Sequence, residues 1–357
     1  ALADFSGRKK AFLVGSTLLT IAATAALYFV GPGDVALGMA MFIIGNFGFE
    51  VGYVFYNAFL PEVSTPENVG RVSGWGWATG YVGGLVCLMA CRPLISQSYK
   101  TAAGGLDQTG ISAYQLSFLL VAGFYLVFAL PAFLLLKESP AQGEAKALAD
   151  YVMIGFRRVG DTLRHLKHYK ETAKFILASL FFTDGITTVI GFAGIYATTT
   201  MKFTSDELVW LFLVLNIAAF PGSLAAGYLA DIMGPRKTLI ATLLVWLVVV
   251  SAAGSAGSKA AFWGVAVGAA IGMGSTQAVG RSFMSQITPP SRAAEFFGFY
   301  VLSGKFASMF GPLIFGFVSS RSGSQRIAVL SLLPLFLLGL GLMIAINEKR
   351  ALEAAKE

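Results

Sequence analysis

Charged residues are scarce in this chain: they make up 13% of its 357 residues, whereas hydrophobic residues make up 56%. An ordinary soluble domain has roughly a quarter charged residues, so the composition indicates that lipid surrounds most of the chain. Lys and Arg outnumber Asp and Glu by 26 to 19. This excess does not indicate nucleic-acid binding, because the basic residues lie between apolar runs, where membrane proteins carry them.

Residues that serve most enzyme and metal chemistry are also few. Cys87 and Cys91 are the only cysteines, and they lie one helical turn apart in an apolar run, which is typical of packing residues. His165 and His168 fall in a polar segment, and no Gly-x-x-x-x-Gly-Lys phosphate loop is present. The sequence therefore predicts no enzyme, no cofactor and no metal site.

Long apolar windows are abundant instead. A helix needs about 20 apolar residues to cross a bilayer, and ten windows of about that length predict an all-α membrane protein with ten transmembrane helices. The windows are residues 11–30, 36–58, 73–92, 113–136, 174–198, 207–229, 238–256, 259–283, 297–319 and 326–347.

One extended polar segment, residues 137–173, separates the windows into two blocks. Its apolar residues recur at three- and four-residue spacing, which predicts an amphipathic helix on the membrane surface. The sequence thus predicts an N-terminal half over residues 1–136, a linker over 137–173 and a six-helix C-terminal half over 174–357. Most Lys and Arg fall in alternate connections. By the distribution of basic residues, we expect the loops at residues 4–10 and 231–237, the linker and the C-terminus to be cytoplasmic.

A short polar motif occurs twice. Residues 2–10 read Leu-Ala-Asp-x-x-Gly-x-Lys-Lys, and residues 229–237 repeat the pattern as Leu-Ala-Asp-x-x-Gly-x-Arg-Lys. A second pair, residues 57–60 and 281–284, keeps the same register, which indicates a transporter built from two similar halves. Because the second motif follows the second window of its half, we expect a twelve-span parent with two spans ahead of Ala1.

This motif, lying between the second and third spans of a half, resembles the signature of the major facilitator superfamily. The family has a basic residue directly after the Asp, where this chain has Phe5 and Ile232, so no ion pair is implied there. Residues 56–62, 73–84 and 183–185 resemble the vacuole-effluxer-like branch, whose fungal members export amino acids. The resemblance implies a helical bundle of two halves that is a monomer and moves small solutes by alternating access. It also implies a location in the cell membrane, which is the inner membrane in a Gram-negative cell.

The resemblance also implies a gate. In the superfamily, the motif Asp meets the start of a span in the other half when the inside is closed. The residues that carry this motif here are Asp4, Gly7 and Arg8 in the first copy and Gly227, Asp231, Gly234 and Arg236 in the second.

In such folds the first and fourth spans of each half line the central path. Asn46, Glu50, Tyr53 and Asn57 form one polar stripe along window 36–58. A charge at this depth costs a few kcal/mol unless it meets a partner or water. Glu50 is therefore predicted to serve the path, and a structural carboxylate is the alternative.

Window 174–198 carries Asp184 next to Gly185, followed by Thr187 and Thr188. A Gly beside an Asp permits a local break in the helix, where freed backbone groups bind an ion or an ammonium group. We expect these residues to lie on the path, and the alternative is that Asp184 caps a kink.

Gln277 and Arg281 give window 259–283 a second polar stripe. An Arg on the path can hold a substrate carboxylate with two hydrogen bonds. Arg281 lies near the cytoplasmic end of its window. It could equally form part of a gate, or extend its charged group to the membrane interface.

Lys305 is the remaining charge inside a window. We expect it to be buried in a structural ion pair. Asp184 and Glu50 are candidate partners, and the sequence does not establish either pairing. Burial disfavours the charged form of a carboxyl group. We therefore expect Glu50 or Asp184 to bind and release a proton during transport, with Na⁺ as the alternative coupling ion. The predicted solutes are amino acids or similar small organic molecules. A transporter of sugars or drug-like compounds, or a sensor or scaffold without flux, are the other interpretations.

Overall fold

The computed structural model describes residues 2–102, 108–137, 160 and 169–356, and the regular structure in these ranges is helical. Helices suit apolar chains in lipid, because each helix satisfies its own backbone hydrogen bonds where water is absent. The helices are α1 Leu2–Ser6, α2 Lys9–Ala26, α3 Val35–Ala58, α4 Leu60–Val63, α5 Val69–Ala102, α6 Gln108–Leu135, α7 Lys170–Thr199, α8 Ser205–Met233, α9 Pro235–Ser255, α10 Lys259–Gln286, α11 Ala293–Ala307, α12 Phe310–Ser322, α13 Gln325–Leu330, α14 Leu333–Ile344 and α15 Glu348–Ala354.

Eight stretches in the described residues are long and apolar enough to cross a membrane. They cover eight of the ten predicted windows, and the other two windows lie in α5 and α10, which are not among the eight. The all-helical class is confirmed, and the count of ten spans stays a prediction.

Two predicted spans are each divided into two helices. Window 297–319 is broken between α11 and α12 at Ser308 and Met309, and window 326–347 is broken between α13 and α14 at Ser331 and Leu332. Proline explains both breaks, since Pro312 and Pro334 have no N–H to donate to the carbonyl four residues earlier. Each of these windows nevertheless corresponds to one stretch that is long and apolar enough to cross a membrane.

The chain divides into two compact units. The first comprises Ala1–Phe59 and Gly83–Gly155, and within it α2 packs against α3 and α6. The second comprises Leu60–Val82 and Phe156–Glu357, where α10 packs against α8 and α9, and α7 packs against α14 and α11. The half boundaries near residues 136 and 174 stay a prediction, and the residues that define the predicted amphipathic helix lie outside the described ranges.

An aromatic core positions the helices of the second unit. Trp246 of α9 is fully buried and stacks on Phe336 of α14, with their ring centroids 5.5 Å apart. Its indole N–H donates to the hydroxyl of Thr276 on α10 at 3.0 Å. The buried indole ring therefore contacts both α10 and α14, and its N–H has a hydrogen-bond partner, so one side chain of α9 holds three helices together.

Candidate functional site

The two motif copies share an unusual backbone conformation. Gly7 has φ of 67° and Gly234 has φ of 91°, and each lies between two helices, α1 and α2 or α8 and α9. Residues with a Cβ rarely adopt such angles. The repeat in the sequence is therefore also a repeat in backbone geometry.

Asp231 of the second motif lies at the start of α5. Its carboxylate accepts hydrogen bonds from the backbone N–H of Gly70 at 2.7 Å and of Arg71 at 3.1 Å. The Nε of Arg71 donates to the same carboxylate at 2.9 Å, and its guanidinium lies 5.9 Å from the ring centre of Tyr228. The first N–H groups of a helix have no partner within it, and a carboxylate satisfies them while matching the positive end of the helix dipole.

Glycines bring α5 and α8 into backbone contact beside this carboxylate. A Cβ added at Gly227 would lie 2.6 Å from the carbonyl oxygen of Gly70, and one added at Gly74 would lie 2.7 Å from a carbonyl oxygen of α8. Real Cβ atoms do not approach backbone so closely. The two helices can therefore meet here only because these positions lack side chains.

Arg281 of α10 binds the same part of α5. Its Nε donates to the hydroxyl of Ser73 at 2.9 Å, and its Nη2 donates to the carbonyl of Ser73 at 2.7 Å. The Ser73 hydroxyl in turn donates to the carbonyl of Ala278 at 2.7 Å. Arg281 is only 4% exposed, so this arrangement suits a gate better than an open substrate site. We call the contacts of Asp231 and Arg281 with Gly70, Arg71 and Ser73 the α5 clamp.

Gln277 lies one turn before Arg281 on α10 and is half-buried. The hydrogen bonds of the α5 clamp do not involve it. Its place on the path stays a prediction.

The first motif copy uses its polar residues differently. Asp4 and Lys9 form a buried ion pair at 3.3 Å, and Arg8 is exposed just before α2. Lys9 occupies the position of Arg236 in the second copy, and Arg236 donates to the last carbonyls of α14 at 2.7 and 3.3 Å. The same loop geometry thus supports two different sets of contacts.

Asp184 caps the start of α12. Its side chain is buried, the residue being 1% exposed, and both carboxylate oxygens accept from the backbone N–H of Gly311, at 2.9 and 2.8 Å. Thr188, one turn further along α7, is buried against the same glycine, and its hydroxyl has no hydrogen-bond partner within the described ranges. Only glycine fits at Gly311, because a Cβ there would overlap both side chains.

The predicted break beside Gly185 is wrong, since α7 runs uninterrupted from Lys170 to Thr199. Gly185 is needed for packing, because a Cβ there would lie 2.6 Å from the ring of Phe336. The helix that is interrupted here is not α7 but its neighbour, at the junction of α11 and α12. Asp184 caps the start of α12 at this junction. Thr187 is exposed, and its hydroxyl donates to the carbonyls of Thr183 at 2.9 Å and Asp184 at 3.2 Å.

Lys305 is exposed, so the predicted burial of its charge is wrong. It lies in the last turn of α11, directly before the break. A positive charge is favourable at the negative end of a helix dipole, and this position provides it. The pairing of Lys305 with a carboxylate stays a prediction.

In the first unit, the polar stripe of α3 runs from exposed to buried. Asn46 is exposed, Glu50 and Tyr53 are half-buried, and Asn57 is fully buried. The ring of Tyr53 stacks on that of Phe49, with centroids 6.2 Å apart. Neither side-chain polar atom of Asn57 has a hydrogen-bond partner in the part of the chain that the structure describes. An unpaired buried amide costs about 1–3 kcal/mol, and the place of Asn57 on the path stays a prediction.

An apolar cavity of about 130 Å³ lies inside the second unit, among α7, α8, α9 and α10. Its walls are aliphatic and aromatic, for example Phe192, Leu211 and Phe262. None of the residues predicted for the path lines it. The cavity is a packing void rather than a route for a polar solute.

Several contacts of this site were not anticipated from the sequence. From sequence, Arg71 is one of many basic residues in the connections, and Ser73 is only the first residue of the segment 73–84. The Gly311–Pro312 pair is a helix-breaking signal that could have located the break. Among the described residues there is no group of three or more His, Cys, Asp or Glu that could hold a metal ion.

Comparison with known proteins gives matches along the whole chain. A family model described as "Vacuole effluxer Atg22 like" matches residues 1–356. The "Uncharacterized MFS-type transporter YxiO" of Bacillus subtilis (strain 168) is 29% identical over 356 residues, which span 100% of this chain and 82% of that protein. "Autophagy-related protein 22" of Coccidioides immitis (strain RS) is 24% identical over 432 residues, which span 100% of this chain and 70% of that protein.

Solved structures share the fold. The proton:xylose symporter XylE, of the major facilitator superfamily, superposes with a TM-score of 0.76 at 15% identity, over 99% of this chain and 85% of that one. The human organic anion transporter MFSD10 superposes with a TM-score of 0.71 at 15% identity, over 96% of this chain and 78% of that one. At such identities the likeness shows the fold alone.

Proposed function

This chain belongs to the Atg22-like vacuole effluxer family of major facilitator transporters, and from that premise we propose that it moves small organic solutes across a cell membrane by alternating access. Its relatives and the structures that share its fold are transporters rather than enzymes. Its apolar helices make it a multi-pass membrane protein. The proposed first substrates are amino acids, as expected from the branch that the sequence resembles.

The α5 clamp is the observation that carries this proposal. It joins α5 to α8 and α10 through a few hydrogen bonds to charged groups, each contributing about 1.5–3 kcal/mol. Contacts of this size hold one end of a path closed and still break when a solute favours the other state. The exposed side chain of Arg71 lets water compete for its bond to Asp231, which makes the clamp reversible.

Arg281 can take both predicted roles in turn. In the closed clamp its two donating nitrogens are occupied by Ser73. When α5 moves away, the guanidinium loses the two acceptors that Ser73 supplies, and N–H groups left without acceptors in a buried site are costly. A solute carboxylate supplies two acceptors in the geometry that a guanidinium prefers, so clamp opening and solute binding are proposed to be linked.

The proposed coupling ion is a proton carried by Asp184 or Glu50. Asp184 is buried and held by a single backbone N–H, so a change of its charge directly alters the cap of α12. The stripe on α3, with Glu50, Tyr53 and Asn57, is the proposed solute-facing side of the first unit. Na⁺ remains the competing ion, since a carboxylate that stays charged would attract it.

Uptake by the purified full-length parent, with the two spans expected ahead of Ala1, tests this function in proteoliposomes. We expect labelled amino acids to accumulate when a pH gradient is imposed, and Asp231→Asn to reduce the rate. A panel of sugars and drug-like cations, run in parallel, distinguishes the competing substrate classes. Saturable binding of a solute without flux would contradict the proposal and favour a sensor or scaffold.

A further inference from the structure

An open groove lies between α2 and α6 in the first unit, at the end where α2 begins and α6 ends. The volume of this open groove is about 910 Å³. It is lined from α2 by Lys10, Val14 and Gly15 and from α6 and the residues after it by Leu134, Leu135 and Lys137.

The groove is charged at its mouth and apolar along its floor. Lys10 and Lys137 lie at the same end of the antiparallel helix pair, and among the described residues neither has an ion-pair partner. Leu134 is 75% exposed and Leu135 is 78% exposed. At Gly15 an added Cβ would have no described atom within 4 Å, so the floor has room beside α2.

The corresponding position in the second unit is closed by the protein itself. There α9 follows the motif glycine as α2 does in the first unit, and it packs against α14. Arg236 bridges the two helices by donating to the last carbonyls of α14. Lys9, its counterpart in the first copy, is paired with Asp4 instead, and the groove beside it stays open.

We propose that this groove binds an anionic phospholipid, with the phosphate between Lys10 and Lys137 and an acyl chain along Val14, Gly15 and Leu134. Basic pockets between helices at the membrane surface attract anionic headgroups, each Lys near the surface contributing to the attraction. Lysine stems also lie well along apolar surface while the ammonium reaches the interface. The apolar floor commits the site to a lipid, because a free anion would leave it uncovered.

Native mass spectrometry of the purified protein with an equimolar mixture of phosphatidylglycerol and phosphatidylcholine of identical chains tests the proposal. We expect the wild type to retain phosphatidylglycerol with a preference on the order of tenfold. The double variant Lys10→Gln/Lys137→Gln should lose this preference. The matched control Lys237→Gln/Lys349→Gln removes the same charge from exposed lysines of the second unit and should keep it. Equal preference in both double variants would overturn the assignment.

Gly15→Leu separates the lipid from a simple anion. This change fills the floor of the groove and leaves both lysines in place, so bound phosphatidylglycerol should fall at least severalfold while circular dichroism stays that of the wild type. Excess inorganic phosphate should not displace the lipid. Undiminished lipid retention in Gly15→Leu, or displacement by phosphate alone, would refute a phospholipid site.

Discussion

At the scale of single residues, Asp231 acts on a helix end rather than on a solute. Asp231→Asn keeps the shape but removes the charge that faces two backbone N–H groups and Arg71. The loss of a charge at a helix N-terminus costs about 0.3–1 kcal/mol. We therefore expect lower turnover with KM within about twofold of wild type, measured as initial rates of uptake.

Asp206→Asn is the matched control for that variant, since Asp206 is exposed in the first turn of the same helix, α8. It should leave both turnover and KM unchanged. A large rise in KM for Asp231→Asn with unchanged turnover would contradict a role in the clamp.

Asp184 and Glu50 carry the predicted coupling to protons. Asp184→Asn and Glu50→Gln cannot release a proton, so a variant of the coupling residue should lose uptake driven by a pH gradient and keep exchange of labelled for unlabelled solute. Both activities are measured in the same proteoliposomes. Loss of exchange as well would assign the residue to solute binding or to the fold, and wild-type uptake that follows Na⁺ would contradict proton coupling.

At the scale of helices, the break between α11 and α12 depends on one glycine. Gly311→Ala places a Cβ against Asp184 and Thr188, and overpacking of this kind costs about 1–3 kcal/mol. We expect a lower thermal unfolding midpoint in detergent and weaker transport. Gly316→Ala, in the same helix, meets no described atom within 4 Å and should behave as the wild type, and equal loss in both variants would argue against the cap.

The crossing of α5 and α8 gives a second prediction at this scale. Gly227→Ala separates the two backbones, so the α5 clamp should form less often. A cysteine at Ser223, in a background without Cys87 and Cys91, should react faster with a water-soluble maleimide in Gly227→Ala than in the control Gly80→Ala. Gly80 suits the control because a Cβ there meets no described atom within 4 Å. Equal rates would contradict a glycine-dependent closure.

The sequence predicts structure well where one residue type, such as a glycine in a turn, or the length of an apolar run determines the local fold. Apolar windows gave the helices, and the motif gave both glycine turns at Gly7 and Gly234. It does not predict contacts between residues that are far apart in the chain. Nothing in residues 183–188 indicates that Asp184 faces Gly311, and nothing in the residues beside Lys305 indicates that this lysine is exposed.

At the scale of the whole molecule, the formal net charge of +7 is distributed unevenly between alternate loops. Basic loops stay in the cytoplasm, so we expect cysteines introduced at Lys349 and at Lys259 to be labelled from opposite sides of the membrane. The measurement uses a membrane-impermeant thiol reagent on intact cells, with cysteine-free protein as the control. Labelling of both positions from one side would contradict the predicted orientation.

The two motif loops, alike in backbone, differ in how a mutation in them can be repaired. The Asp4–Lys9 ion pair joins two residues of one motif, so a compensating change for either partner can arise close by in the gene. The carboxylate of Asp231 is held by the backbone N–H groups of Gly70 and Arg71 and by the Arg71 side chain, 161 and 160 positions away. A substitution can change the Arg71 side chain but cannot change the charge of the two backbone N–H groups. Selection for restored transport should therefore return local revertants for the first loop, but for the second it should return changes in other helices that stabilise the closed state relative to the open one.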